Sequence, residues 1–221
     1  MFSIIRNLYK HRSVDIHIMF DLFDKMVLPI ALYGSEVWGT NYIPTNSINN
    51  DFFGQCNLSK HITEVLHYRY MKLLLGVPRK TSNWAVNTET GRYPTIMKVM
   101  KAMIKYYFHL SESKSPFIKS ALATNMAMAE RGVNTWFKHI IRVFKFCELD
   151  HLLVIENKQD INKQLRDIDH ILIDIFKKKW TEERVGFAVD SKLDVLVSLK
   201  QNHDISEYLL SRINPAHKSA M

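Results

Sequence analysis

The side chains able to hold a metal, move a proton or grip a phosphate fall into a few clusters. Cys56, His61 and His67 are separated by four and five residues. A zinc site needs four ligands in tetrahedral array, and no second cysteine pair completes this one. Ordinary surface or half-buried histidines are the plainer reading. Cys147 and His151, one helical turn apart, offer no more. Asp167, Asp169 and Asp174 look like a carboxylate cluster, but helical residues two apart diverge, so the first two do not converge on one magnesium. Asp21 and Asp24 could share a face, and equally fit the polar back of a helix. No glycine-rich phosphate loop, nucleophile elbow or zinc-protease motif is present. The expectation is no catalytic residue, no metal and no cofactor.

Cations give the stronger pattern. Lys98, Lys101 and Lys105 recur at spacings of three and four, which puts them on one helix face. Lys138, Arg142 and Lys145 repeat the arrangement. Such stripes can grip phosphates, releasing counterions and giving salt-dependent affinity. Tyr106, Tyr107 and Trp136 stand beside these cations and could stack on bases. The plainer reading is that the aromatics are core and the lysines are solvated. A net charge of +8 and a pI near 9.4 favour anionic partners.

The totals set the frame for these clusters. The 221 residues suffice for one large domain or two small ones, and 47% hydrophobic with 24% charged content is that of a globular chain. Two cysteines make no disulfide framework and suit a reducing compartment. The longest strongly apolar stretch, 26–33, is far too short to cross a bilayer, and the first residues do not read as a secretory signal. An intracellular protein, cytoplasmic or nuclear, with no membrane partner is the expectation.

Apolar residues recur every three or four positions almost throughout, which predicts helices. The first covers 13–37, with Met19, Phe23, Met26, Ile30 and Val37 on or near one stripe and Leu22 and Val27 widening it. Pro29 should kink it, and Gly34 allows close packing or a break before Trp38. The polar stretch 40–57 reads as a flexible loop. Ser59 caps a helix to Leu75 that places Ile62, Leu66, Leu73 and Leu74 inward. Gly76 then supplies a left-handed stop and Pro78 blocks continuation. A short helix with Trp84 and Val86 ends at Gly91, and Pro94 opens a helix to Leu110. Helices follow at 118–129, from an Asn134 cap onward, and at 159–180 with Lys177 to Lys179 in its last turn. Two shorter helices are expected at 191–200 and 204–213. The resulting fold class is all-α, an irregular multi-helix bundle with a bent first long helix. Its expected parts are an N-terminal extension (1–12), a helical domain (13–112) and a helical C-terminal region (113–221).

Two stretches resemble one family. "LFDKMVLPIALYGSEVWG" is similar to the segment just after the polymerase core of LINE-type, non-LTR retrotransposon reverse transcriptases, with Phe23, Pro29, Tyr33, Gly34, Glu36 and Trp38 matching in order. "YMKLLLGVPRKTSNWAVNTETGRYP" resembles that family's downstream pattern through Lys72, Leu75, Gly76, Thr81, Asn83, Val86, Glu89, Gly91, Arg92 and Pro94. The resemblance covers about 14–110, and a weaker similarity runs from Trp136 to Trp180. It implies a thumb-like helical region that holds an RNA or RNA/DNA duplex, with contacts sought first at Lys72, Arg79, Lys80 and Arg92. The bend would turn Tyr33 and Trp38 toward the following helices. The paired-aspartate motif of the palm is absent, so polymerisation does not carry over to this chain. The alternatives are a degenerate or recruited helical module without a nucleic-acid role, and the tail of an active polymerase whose palm is encoded upstream.

Overall fold

The computed structural model describes residues 15–44, 61–153, 158–187 and 194–210. Among them the chain is all-α, and the only strand-like pairing is an isolated antiparallel bridge between Thr90 and Ile205. The chain forms two compact units, each assembled from separated segments. Unit 1 comprises Met1–Tyr33, Val65–Pro94 and Lys177–Met221; unit 2 comprises Gly34–Glu64 and Thr95–Phe176.

The first helical stretch is not one regular helix. Asp15 caps α1 (Ile16–Leu22) by accepting from the His17 N–H at 2.8 Å. A π-helical segment, Phe23–Val27, follows, and α2 (Leu28–Ala31) carries Pro29 in its first turn. The Leu28 N–H reaches back to the Phe23 carbonyl, one residue further than an α-helix allows. This wide turn sits just where Pro29 deprives the ladder of a donor, and both features bend helices. The chain then breaks at Gly34, which lies in the left-handed region at φ +70° before α3 (Ser35–Trp38).

The π segment also changes which face is buried. Met19, Phe20, Phe23, Val27 and Leu28 are buried, while Met26, Ile30 and Val37, expected inside, are exposed. The wide turn advances the register by one residue, so Val27 takes the place a regular helix would give Met26. Tyr33, expected to turn toward the next helices, is 87% exposed. In unit 1 the buried residues of this stretch pack with Tyr68, Tyr70, Met71, Leu74 and Val86. Phe23 stacks on Tyr70 at 4.5 Å between ring centroids, and the Tyr70 hydroxyl donates to the Met19 carbonyl. Burial pushes that phenol up to about 12.

The start of the expected loop is ordered into a 3-10 turn, Gly39–Tyr42, with Tyr42 and Ile43 buried. Residues 45–57 of that loop, the Ser59 cap and the N-terminal extension lie outside the described residues. Helix α4 (Ile62–Leu75) ends as the sequence predicts. Gly76 has φ +69°, its N–H bonds to Leu73 and the Val77 N–H bonds to Lys72, a Schellman closure. Its buried side differs from expectation: Ile62 is exposed, whereas Thr63, Glu64, His67, Tyr70 and Met71 are inside.

Helix α5 (Asn83–Thr90) stops at left-handed Gly91, also as predicted. In unit 2, α6 (Ile96–Ser111) buries Met100, Met103, Ile104 and Tyr107. Helix α7 (Pro116–Glu130) starts on Pro116 and buries no residue fully. Helix α8 (Trp136–Phe146) is capped by Thr135, whose hydroxyl accepts from the Lys138 N–H, rather than by Asn134. Asn125 ties α7 to α8 by accepting from the Phe137 N–H at 3.0 Å. Tyr107, Phe137 and Phe144 pack ring to ring in this core. Helix α9 (Lys158–Phe187) runs seven residues past Trp180, so Lys177 to Lys179 lie inside it rather than in its last turn. Two short helices, α10 (Asp194–Leu199) and α11 (Glu207–Leu210), follow.

Candidate nucleic-acid interface

Several of the cations singled out by spacing fasten the fold, and several are exposed. In unit 1, Lys72 is buried on α4, and its ammonium donates to the Arg79 carbonyl at 3.0 Å. Burial lowers its pKa. Lys72 therefore pins the turn after Gly76 instead of reaching outward. Arg79 and Lys80, on that turn, are exposed.

Arg92 is also turned inward within unit 1. Its guanidinium grips both oxygens of Asp24 in a fork, one contact measuring 2.9 Å, and lies 5.0 Å over the Phe20 ring. Spacing alone gave no hint of this pair, whose members are 68 residues apart.

In unit 2, Lys98 and Lys105 on α6 are exposed, but Lys101 between them pairs with Asp169 of α9. Asp169 thus serves as a counter-ion. On α8, the Lys138 ammonium donates to the Gly132 carbonyl at 2.9 Å, closing the end of α7. Arg142 is half-buried and Lys145 is exposed. His139, buried on the same helix, has its pKa lowered by burial and then by the charges of Arg142 and Lys138.

The aromatic residues beside the stripes serve the core. Tyr107 is buried, Tyr106 meets Trp136 edge to face at 5.7 Å, and the Trp136 indole donates to the Glu36 carbonyl at 2.9 Å. Tyr106 and Trp136 are half-buried. Among the described residues no three His, Cys, Asp or Glu side chains group to hold a metal. His61 stacks on Tyr42 in unit 2, and His67 sits among the rings of Phe23 and Tyr68 in unit 1. Cys147 is buried, and burial pushes its thiol up to about 12, which disfavours the thiolate form. Cys56 lies outside the described residues. No described helix is long and apolar enough to cross a membrane.

Several residues of the two sequence stretches have structural duties. Gly39 packs so closely that a Cβ would lie 2.5 Å from Val99 Cγ1. Pro94 is buried and precedes α6, whose first N–H, on Ile96, is accepted by the buried Glu64 carboxylate at 2.8 Å. Glu89 accepts from the Ser206 N–H through its carbonyl and from the Ser206 hydroxyl through its carboxylate, at 2.9 and 2.6 Å. A Cβ on Gly91 would lie 2.5 Å from the Ile205 nitrogen. Segment 200–206 thus closes over the end of α5, with His203 stacked on Tyr93 and edge-on to Trp180. This tail contact and the Glu64 cap escaped sequence reasoning, because their partners are far apart in the chain.

No protein-family model, no curated protein and no solved structure matches this chain.

Proposed function

We propose that this chain is a thumb-like helical part of a LINE-type retrotransposon reverse transcriptase, which holds an RNA or RNA/DNA duplex by its backbone and does not polymerise by itself. The ordered match of two motifs in one chain carries the reading. Its support is the set of exposed cations, Arg79 and Lys80 on one turn and Lys98, Lys105 and Lys145 on helix faces. A-form duplexes are recognised through backbone and shape, which basic helices serve without reading bases. In this reading the upstream palm is a partner supplied by the same polyprotein.

The test is titration of a short RNA/DNA hybrid at rising salt. Each phosphate contact contributes a slope of roughly 0.7–0.9 in the logarithmic salt plot. Reversing Lys98, Lys105 and Lys145 to Glu should flatten the slope by about two to three. No binding at low salt, or binding indifferent to salt, refutes the proposal.

One observation favours a second reading, a degenerate or recruited helical module with no nucleic-acid role. Lys72, Arg92, Lys101 and Lys138 all make internal contacts. Under this reading the triple reversal leaves any hybrid association unchanged. Translating the DNA upstream of Met1 tests the third, the tail of an active polymerase: an in-frame palm motif supports it, and stop codons count against it.

A further inference from the structure

Segment 200–206 crosses unit 1 between α10 and α11 as irregular chain. His203, Ile205 and Ser206 hold it to the surface beneath. Ile205 forms the isolated bridge with Thr90 and packs against the core of unit 1. Ser206 binds Glu89 twice, through its N–H to the carbonyl at 2.9 Å and through its hydroxyl to the carboxylate at 2.6 Å. His203 is buried, stacked on Tyr93 and edge-on to Trp180. Gln201, Asn202 and Asp204 are exposed. The Lys200 ammonium turns back onto the Asp204 carbonyl at 2.6 Å, so it braces the segment itself. Stretches with few buried contacts lie at the low end of the range of local opening free energies.

The place that holds His203 is hostile to charge. Tyr93 and Trp180 cover the ring. Lys177, one helical turn before Trp180 on α9, and Lys200 on the segment both oppose an imidazolium, while Asp204 favours one. Glu89 of α5 is engaged by Ser206. Burial is the largest influence and also opposes the charge. A proton on His203 is accommodated when the ring swings out into water, and that motion removes one of the attachments of the segment.

We propose that segment 200–206 is a strap that opens by itself, ahead of the rest of unit 1, and that protonation of His203 drives its opening. Opening bares the ring surfaces of Tyr93 and Trp180 that His203 covers, and the backbone at Gly91 that Ile205 approaches closely. The strap is independent of the nucleic-acid reading.

Native-state amide exchange of the full chain in low urea tests it. The Ser206 N–H reports on the strap, and the N–H groups of Tyr70 and Met71 on α4 report on the core of unit 1. Ser206 should be less protected than Tyr70 and Met71 and nearly insensitive to urea, because an opening strap exposes little surface. Its protection factor should fall about tenfold between pH 6.5 and pH 5. His203→Phe keeps a ring in the stack and should abolish that fall. Equal protection of Ser206 and Tyr70 with the same urea dependence overturns the proposal, and this comparison needs no variant. A Ser206 protection factor indifferent to pH, or one that falls as far in His203→Phe, overturns it equally.

Discussion

His203 gives the sharpest prediction about stability. It is 4% exposed, stacked on Tyr93 at 4.9 Å and edge-on to Trp180 at 5.6 Å. Burial lowers its pKa from 6.5 to about 4; Asp204 pulls the other way, while Lys177 and Lys200 add to the depression. Above pH 6.5 the ring is neutral both folded and unfolded, and stability does not depend on it. As pH falls from 6.5 toward 4, the unfolded chain takes up a proton that the folded chain refuses, so stability declines. At about 1.4 kcal/mol per pH unit, the loss is roughly 3 kcal/mol by pH 4. His203→Phe keeps an aromatic ring in the stack and removes the proton. Urea unfolding followed by tryptophan fluorescence at pH 4 to 7.5 would measure both proteins. His139 and His61, also shifted down by burial, tilt both curves alike, so the quantity of interest is wild type minus variant. A variant that loses as much stability as wild type between pH 7 and pH 4 refutes the reasoning.

Other substitutions probe the remaining contacts. Gly91→Ala forces a side chain into φ +61° and against the Ile205 and Asp204 backbone. It should cost more than about 2 kcal/mol in denaturant unfolding and raise amide exchange in 200–206. Arg92→Lys cannot fork onto Asp24 and loses the planar contact over Phe20. A loss of about 1–2 kcal/mol is expected by thermal melting, and a neutral result would show the ion pair to be idle. Glu64→Ala leaves the Ile96 N–H without its buried acceptor. It should be about 1–2 kcal/mol less stable than Glu64→Gln, which keeps an oxygen there; equal melting of the two would exclude the cap.

The helical class and several helix ends follow from local chain rules alone. Periodicity identified the all-α class, and Gly76 and Gly91 marked boundaries through local backbone rules that need no distant partner. The interruption around Pro29 and Gly34 was legible for the same reason. Its form was not: a π segment instead of a simple kink exchanged Met26 for Val27 in the core. Spacing could place cations on helix faces, but could not say which were already engaged. Arg92 is taken by Asp24 and Lys101 by Asp169, each across 68 residues, and Lys72 by a backbone carbonyl. No local pattern singles out His203, which the fold stacks on Tyr93 and sets edge-on to Trp180. Local rules act within a turn or two of chain, whereas burial and charge pairing act through space. Which basic residues hold the protein together therefore emerges only when distant segments meet in the folded chain.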